Sequence, residues 1–170
     1  MKSAISSSAF ALSASFFLLT SGAALADTKV YQADSVCRGT LIPSLSSGTM
    51  PNNSSVTAAF IYCAINRDRT DLKPLSVHVT VIDNSSLLIG DGNFSCNLLP
   101  VSRTGILGAA GGTVVTAGTN SAGQILVVPI PAVVPVDGTL TLKCKVPRKG
   151  VGDTASVLAS IKVIEPDPTN

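Results

Sequence analysis

The chain has 170 residues, of which 45% are hydrophobic and only 13% charged, with 12 Lys+Arg against 10 Asp+Glu. A balance so near neutral supplies no broad basic field for nucleic acid and no acidic tail. Plentiful Gly, Ser, Thr, Val and Leu with few charges fit an exported all-β domain better than a cytosolic enzyme.

The first element is a leader. Met1 and Lys2 precede an Ala/Ser/Phe/Leu-rich segment that reaches Phe16-Phe17-Leu18-Leu19 and closes with Ala24-Leu25-Ala26 before Asp27. A short positive end, an apolar middle and small residues at the cleavage point describe a secretory signal peptide. Serines break the apolar run into pieces shorter than the roughly 20 residues of a membrane span. Residues 1–26 therefore read as a cleavable leader helix, with no span left after its removal. Residues 27–170 read as one domain, large enough to bury a core. The destination is the periplasm or the cell exterior.

Residues 29–40 read as a first strand carrying Cys37. Residues 41–55, rich in Ser, Pro, Gly and Asn, read as a surface loop with a short strand near Leu41-Ile42. In residues 57–68 Ala59, Ile61, Cys63 and Ile65 line one strand face, and Phe60, Tyr62 and Ala64 the other. Apolar groups on both faces predict a central strand covered on each side. Residues 75–83 alternate, with Val77, Val79 and Val81 inward and His78 and Thr80 outward.

Gly90-Asp91-Gly92-Asn93 stands between Leu87-Leu88-Ile89 and a run whose Phe94, Cys96 and Leu98 share an inner face. Asp-Gly at that place predicts a hairpin. Residues 102–123, punctuated by glycine, predict a mobile loop with one short edge strand at Thr113-Val114-Val115-Thr116. Residues 125–136 are apolar, but Pro129, Pro131 and Pro135 forbid a helix or a central strand and predict an extended edge segment. Asp137-Gly138 predicts a second hairpin turn into a strand with Leu140, Leu142, Cys144 and Val146 inward. Its outward Lys143 and Lys145 suit an edge. The last strand, over residues 155–165, places Val157, Ala159, Ile161 and Val163 inward. No helix is expected after the leader. The pattern is all-β, a two-sheet antiparallel sandwich of about eight or nine strands.

All four cysteines, Cys37, Cys63, Cys96 and Cys144, lie past the leader. An even number in an oxidising compartment implies two disulfides. Three pairings exist, and sequence alone does not choose among them. Cys37–Cys63 with Cys96–Cys144 is favoured because each bridge then joins two strand-like segments without crossing the other. Sulfur links between the stacked layers are expected. A four-cysteine zinc site would need closer spacing than any present.

Several stretches together resemble a widespread group of uncharacterised exported bacterial proteins. The matching residues are Cys37, Asn53-Ser54, Cys63-Ala64-Ile65-Asn66-Arg67-Asp68, Val77-x-Val79-x-Val81-x-Asp83, Phe94-Ser95-Cys96-Asn97-Leu98, Cys144-Lys145-Val146-Pro147 and Val163-Ile164-Glu165. Ala64 stands where that group tends to have proline. The resemblance implies export, disulfides and β architecture, and implies no activity.

Catalytic groups are few. His78 is the only histidine, which excludes multi-histidine metal sites, and a plain surface residue accounts for it. Glu165 is the only glutamate, so paired carboxylates for glycoside hydrolysis would draw on aspartates that suit turns. Asp83, Asp91 and Asn93 lack calcium-loop spacing. No phosphate loop is present, and no cofactor or metal is implied. Arg67, Asp68 and Arg69 form a charge cluster that offers a ligand contact through the Arg fork, against a structural reading as a loop with internal ion pairs. Lys143, Lys145, Arg148 and Lys149 make a local basic strip that reads first as edge protection and second as a contact for an anionic glycan or a membrane surface.

The reading is an exported, non-catalytic sandwich acting as an envelope or extracellular binding or structural module, with an envelope glycan or a protein as partner. The alternatives are a pilin-like or adhesin-like subunit that assembles by strand addition at residues 125–136, and a hydrolase built on loop Asp and Ser residues.

Overall fold

The structure, a computed structural model, describes residues 26–39, 48–68, 72–87 and 92–166. The leader up to Leu25, the strand expected near Leu41-Ile42, Leu88 to Asp91 of the first expected hairpin, and Arg69 lie outside the described residues.

In chain order the elements are β1 (Asp27–Gln32), a helical turn α1 (Ala33–Val36), β2 (Cys37–Gly39), β3 (Met50–Asn52), β4 (Ala59–Ile65) and β5 (Ser76–Asp83). They continue with β6 (Ser95–Val101), β7 (Val114–Val115), β8 (Asn120–Val128), β9 (Thr139–Val146) and β10 (Ser156–Glu165). These form two antiparallel sheets of five strands each. Sheet A runs β1-β10-β5-β8, with β3 on the opposite end of β10 from β1. Sheet B runs β2-β4-β9-β6-β7. The all-β sandwich expected from the alternation is the observed architecture.

One core joins the sheets. Val77, Val79, Val81, Leu126, Val128, Ile161 and Val163 face in from sheet A, and Ile61, Cys63, Leu98, Leu140, Leu142 and Val146 from sheet B. Each such side chain, fully withdrawn from water, contributes about 1.5–3 kcal/mol. The inward sets of β5, β6 and β9 are those the period-two pattern predicts.

Both disulfides form, Cys37–Cys63 and Cys96–Cys144. They lie within sheet B rather than between the layers: Cys37 is directly opposite Cys63 in the β2–β4 ladder, and Cys96 opposite Cys144 in β6–β9. Facing Cα atoms in adjacent strands are close enough to bridge, whereas stacked sheets sit about 10 Å apart. With the partners 26 and 48 positions apart in sequence, the chain-entropy model assigns about 3.5 and about 4 kcal/mol.

Several expectations are corrected. The single first strand over residues 29–40 is two strands in different sheets, because α1 carries the chain across with Ala33 buried at the crossing. The Asp137-Gly138 site does not join neighbours, since β8 and β9 lie in different sheets. The Asp137-Gly138 turn is real, with Asp137 at φ 56 and the Gly138 N–H donating to Pro135 O at 3.1 Å. A turn reverses the chain but does not choose the next strand's neighbour. Among the described strands, every connection between consecutive strands except β6–β7 changes sheet.

β9 is a central strand, so Lys143 and Lys145 are not edge guards. Met50–Asn52 pairs with β10 inside what reads as loop. In β10 the register shifts between Leu158 and Ser160, and this bulge at Ala159 inverts the pattern before it. Ser156 and Leu158 therefore point inward, where Val157 and Ala159 were expected. Residues 107–112 are laced to the margin of β6, with the Gly108 and Gly111 N–H groups donating to Pro100 O and Leu98 O, both at 2.8 Å. The short strand expected around residue 114 is β7.

A buried polar knot ties the two layers at one end. Asp83, fully buried at the end of β5, accepts from the Ser85 N–H at 3.2 Å and the Ser156 hydroxyl at 3.3 Å through Oδ1. Its Oδ2 accepts from the Phe94 N–H at 3.2 Å and the Thr116 hydroxyl at 2.5 Å. Sequence suggests a turn aspartate here; the carboxylate is instead a cross-layer acceptor.

Candidate functional site

β4 alternates as its sequence predicts, but it is not covered on each side as expected from its apolar residues. Ala59, Ile61, Cys63 and Ile65 are buried, as expected. Phe60, Tyr62 and Ala64 point out of the sandwich into water, with Phe60 and Tyr62 each 44% exposed. No described element covers that face. Side chains of both characters on one strand are normal for a sheet packed on a single side.

The antiparallel register shows what surrounds the two rings. Tyr62 lies between Arg38 on β2 and Lys143 on β9, and Lys143 lies opposite Asn97 on β6. One row away, Phe60 is opposite Lys145, which is opposite Ser95, which is opposite Val115 on β7. The next row reads Ala64, Thr141, Leu99. Facing pairs of this kind put Cβ atoms about 5 Å apart, with diagonal neighbours about 7–8 Å apart. Across the diagonal, Lys143 Nζ stands 5.1 Å from the centre of the Phe60 ring, a cation–π contact. Arg38 is steadied by its own turn, Nη1 donating to Cys37 O at 2.6 Å and Asp34 O at 3.3 Å.

The outcome is a surface of three rows bearing two aromatic rings, three cations, an amide and hydroxyls, with no carboxylate in any of the registered outward positions. Cations set among exposed rings and hydrogen-bonding groups can hold an anion while a flat group packs on the rings. Of the basic strip read from sequence, Lys143 and Lys145 belong to this surface. Arg148 leaves it, its Nη1 donating to Ser55 O at 3.4 Å. Arg38 and Asn97 are invisible as partners in the sequence, since only the β2–β4–β9–β6 register brings them alongside.

The charge cluster at the end of β4 has a different character. Arg67 is half-buried, donating from Nη1 to Leu72 O at 2.9 Å and from Nη2 to Gly138 O at 2.5 Å. Asp68 turns the other way and forms a close ion pair with Lys29. The buried Glu165 carboxylate accepts the Asp68 N–H at 2.9 Å and lies 3.6 Å from Lys29 Nζ. The Tyr31 hydroxyl donates to Asn66 O at 3.2 Å alongside. The Lys29 ammonium holds the Asp68 carboxyl below its ordinary range, and that same bond raises Lys29. Asp27, Asp68 and Glu165 have carboxylate oxygens within 4.8 Å of one another. Lys29 already supplies positive charge there, which opposes a metal cation. The cluster clasps the end of sheet B to the β1–β10 corner of sheet A.

His78, the only histidine in the sequence, and Asp83 sit on opposite faces of β5. His78 is on the outer face of sheet A beside Lys162 and Val127, and Asp83 is inside. They cannot share a proton. Among the described residues no helix is long and apolar enough to cross a membrane.

No family model matches the chain, and no curated protein matches it. Among solved structures it is similar to the family 11 carbohydrate-binding module from Clostridium thermocellum in complex with a beta-1,3-1,4-mixed-linked tetrasaccharide. That likeness has 10% identity over 82% of this chain and 89% of that one, with a TM-score of 0.42. It is also similar to the family 11 carbohydrate-binding module of a cellulosomal cellulase of Clostridium thermocellum, at 10% identity, 85% and 91% coverage and a TM-score of 0.43.

Proposed function

We propose that this chain is an exported, non-catalytic binding module that holds an acidic polysaccharide on the outer face of sheet B. One observation carries the reading: Phe60 and Tyr62 are exposed among Arg38, Lys143 and Lys145, with no carboxylate in the rows between them. Uronate or sulfate groups answer the cations through charge-assisted bonds, and the apolar faces of sugar rings pack on the aromatic rings. Side chains two apart on one strand repeat every 7 Å or so, a spacing that suits an extended chain rather than a small ligand. Two buried disulfides belong to an oxidising compartment, which supports export by the leader read at residues 1–26.

The test is a titration of the exported protein with polygalacturonate and with heparin, beside a neutral β-glucan as control. Binding to an acidic polymer is expected, weakening as salt rises from about 0.05 M to about 0.5 M. A Lys143→Glu/Lys145→Glu pair should lower affinity at least about tenfold by replacing attraction with repulsion. Phe60→Ala should weaken binding without altering the salt slope. Equal binding to the neutral glucan, or indifference to the charge reversal, would refute the assignment.

A further inference from the structure

The two sheets present four edges among the described residues, and three are guarded. β1 carries Asp27 and Lys29, and β3, which continues that edge, is three residues long and contains Pro51. β2 is three residues long and bears Arg38. β7 has only two residues, and the rest of that margin is occupied by the Gly108 and Gly111 bonds to β6. Short strands, charge, proline and covering loops are the usual means of preventing a sheet edge from pairing with another chain.

Between Gln124 and Val128, β8 has neither charge nor proline, and loop contact is confined to the Gln124 side chain, which accepts from the Ala117 N–H and donates to Gly118 O. It pairs with β5 on one side, in unbroken register from Val77↔Val128 to Val81↔Gln124, and no described strand pairs with its other side. The segment Gln124-Ile125-Leu126-Val127-Val128 contains no charge and no proline. Among the described residues no backbone bond from outside the β5 ladder reaches it. Its outward side chains, Ile125 and Val127, are 65% and 55% exposed. Such an edge asks for one kind of occupant, an extended strand.

We propose that this occupant is β8 of a second copy, paired antiparallel about a twofold axis at Leu126. The segment is its own complement. The twofold sets Gln124 opposite Val128 and Ile125 opposite Val127, so apolar side chains meet on the outer face and the buried Leu126 and Val128 extend the cores toward each other. Closed twofold pairing is the commonest solution for identical chains. No like charges are brought together at the join. In the row of Val127 the cation is Lys162, two strands back. Two A sheets become one continuous sheet, and both B faces remain open.

Sedimentation equilibrium of the full chain, expressed with its leader and purified after export, tests the proposal. A mass rising toward twice the monomer with concentration is expected, together with slower deuterium uptake at the Gln124–Val128 amides as dimer forms. Ile125→Lys and Val127→Lys, made separately, should each weaken association at least about tenfold by setting a charge into the apolar row. Val30→Lys, on the opposite edge of the same face, should leave it unchanged. A monomer at every concentration, a dimer that withstands both lysines, or deuterium protection elsewhere would overturn the proposal. Because Ile125 and Val127 are exposed, unchanged circular dichroism separates loss of pairing from loss of fold.

Discussion

Replacing Asp83 with alanine tests whether the polar knot, rather than the apolar core alone, holds the layers together. The carboxylate accepts four hydrogen bonds from Ser85, Phe94, Thr116 and Ser156. Its removal does not orphan all four donors equally. The Phe94 N–H keeps the Thr116 hydroxyl at 3.1 Å, and the Ser156 hydroxyl still accepts the Asn84 N–H at 3.0 Å. The Ser85 N–H and the two hydroxyl hydrogens lose their acceptors at residues nine-tenths or more buried. At about 1–3 kcal/mol for each unsatisfied group, with some relaxation, the loss should be about 3–5 kcal/mol. Asp83→Asn keeps the shape but turns one oxygen into a donor, and should cost about 2 kcal/mol.

Urea unfolding with the disulfides intact reads both effects. With a slope of about 2 kcal/mol per molar, the alanine variant's midpoint should fall by about 2 M and the asparagine variant's by about 1 M. A fall of less than about 0.5 M for alanine would refute the account, since the knot would then contribute little beyond what burying a carboxylate costs. Thr116→Val combined with Asp83→Ala should show a coupling of at least about 0.5 kcal/mol.

Ile61 and Phe60 are adjacent in β4 and face opposite ways, so Ile61→Ala should lose about 2–5 kcal/mol in the same assay and Phe60→Ala less than about 1 kcal/mol. Equal losses would mean that the second face of β4 is covered after all. The Asp68 carboxyl is held low by Lys29, and the Asp153 carboxyl by the Ser86 N–H. A depressed folded value means stability that is present above the unfolded pKa, about 4, and lost as pH falls through the folded value. The urea midpoint should therefore drop below about pH 4, and Asp68→Asn should flatten that drop. Lys29, raised above its ordinary 10.5, contributes stability that is complete below that value and disappears only as pH climbs beyond it.

Much of the fold was legible because strand alternation is a local property. Val77, Val79 and Val81, or Leu140, Leu142 and Cys144, can be assigned to an inner face without knowing what they face. The favoured disulfide pairing also agrees with the structure, though sequence left two other pairings open. Structure and sequence pattern diverge wherever a residue's place depends on a partner. Asp137-Gly138 predicts a hairpin because turn chemistry is local, yet β8 pairs with β5 while β9 pairs with β4 and β6. Ala159 breaks the phase of β10 because Ser160, not Ala159, continues the β5 ladder, and nothing in the ten-residue run announces that bulge.

The candidate face shows the same division. The alternation places Lys143 and Lys145 outward on their own strand, and Phe60 and Tyr62 on one face of theirs. Whether those groups met, and whether water or protein covered them, was decided by β4 lying beside β9. An amino-acid order can state which side chains share a face, since that follows from backbone geometry over two residues. It cannot state which faces adjoin, because residues some 80 positions apart, such as Tyr62 and Lys143, become neighbours only through the competition of the strands to bury their apolar sides.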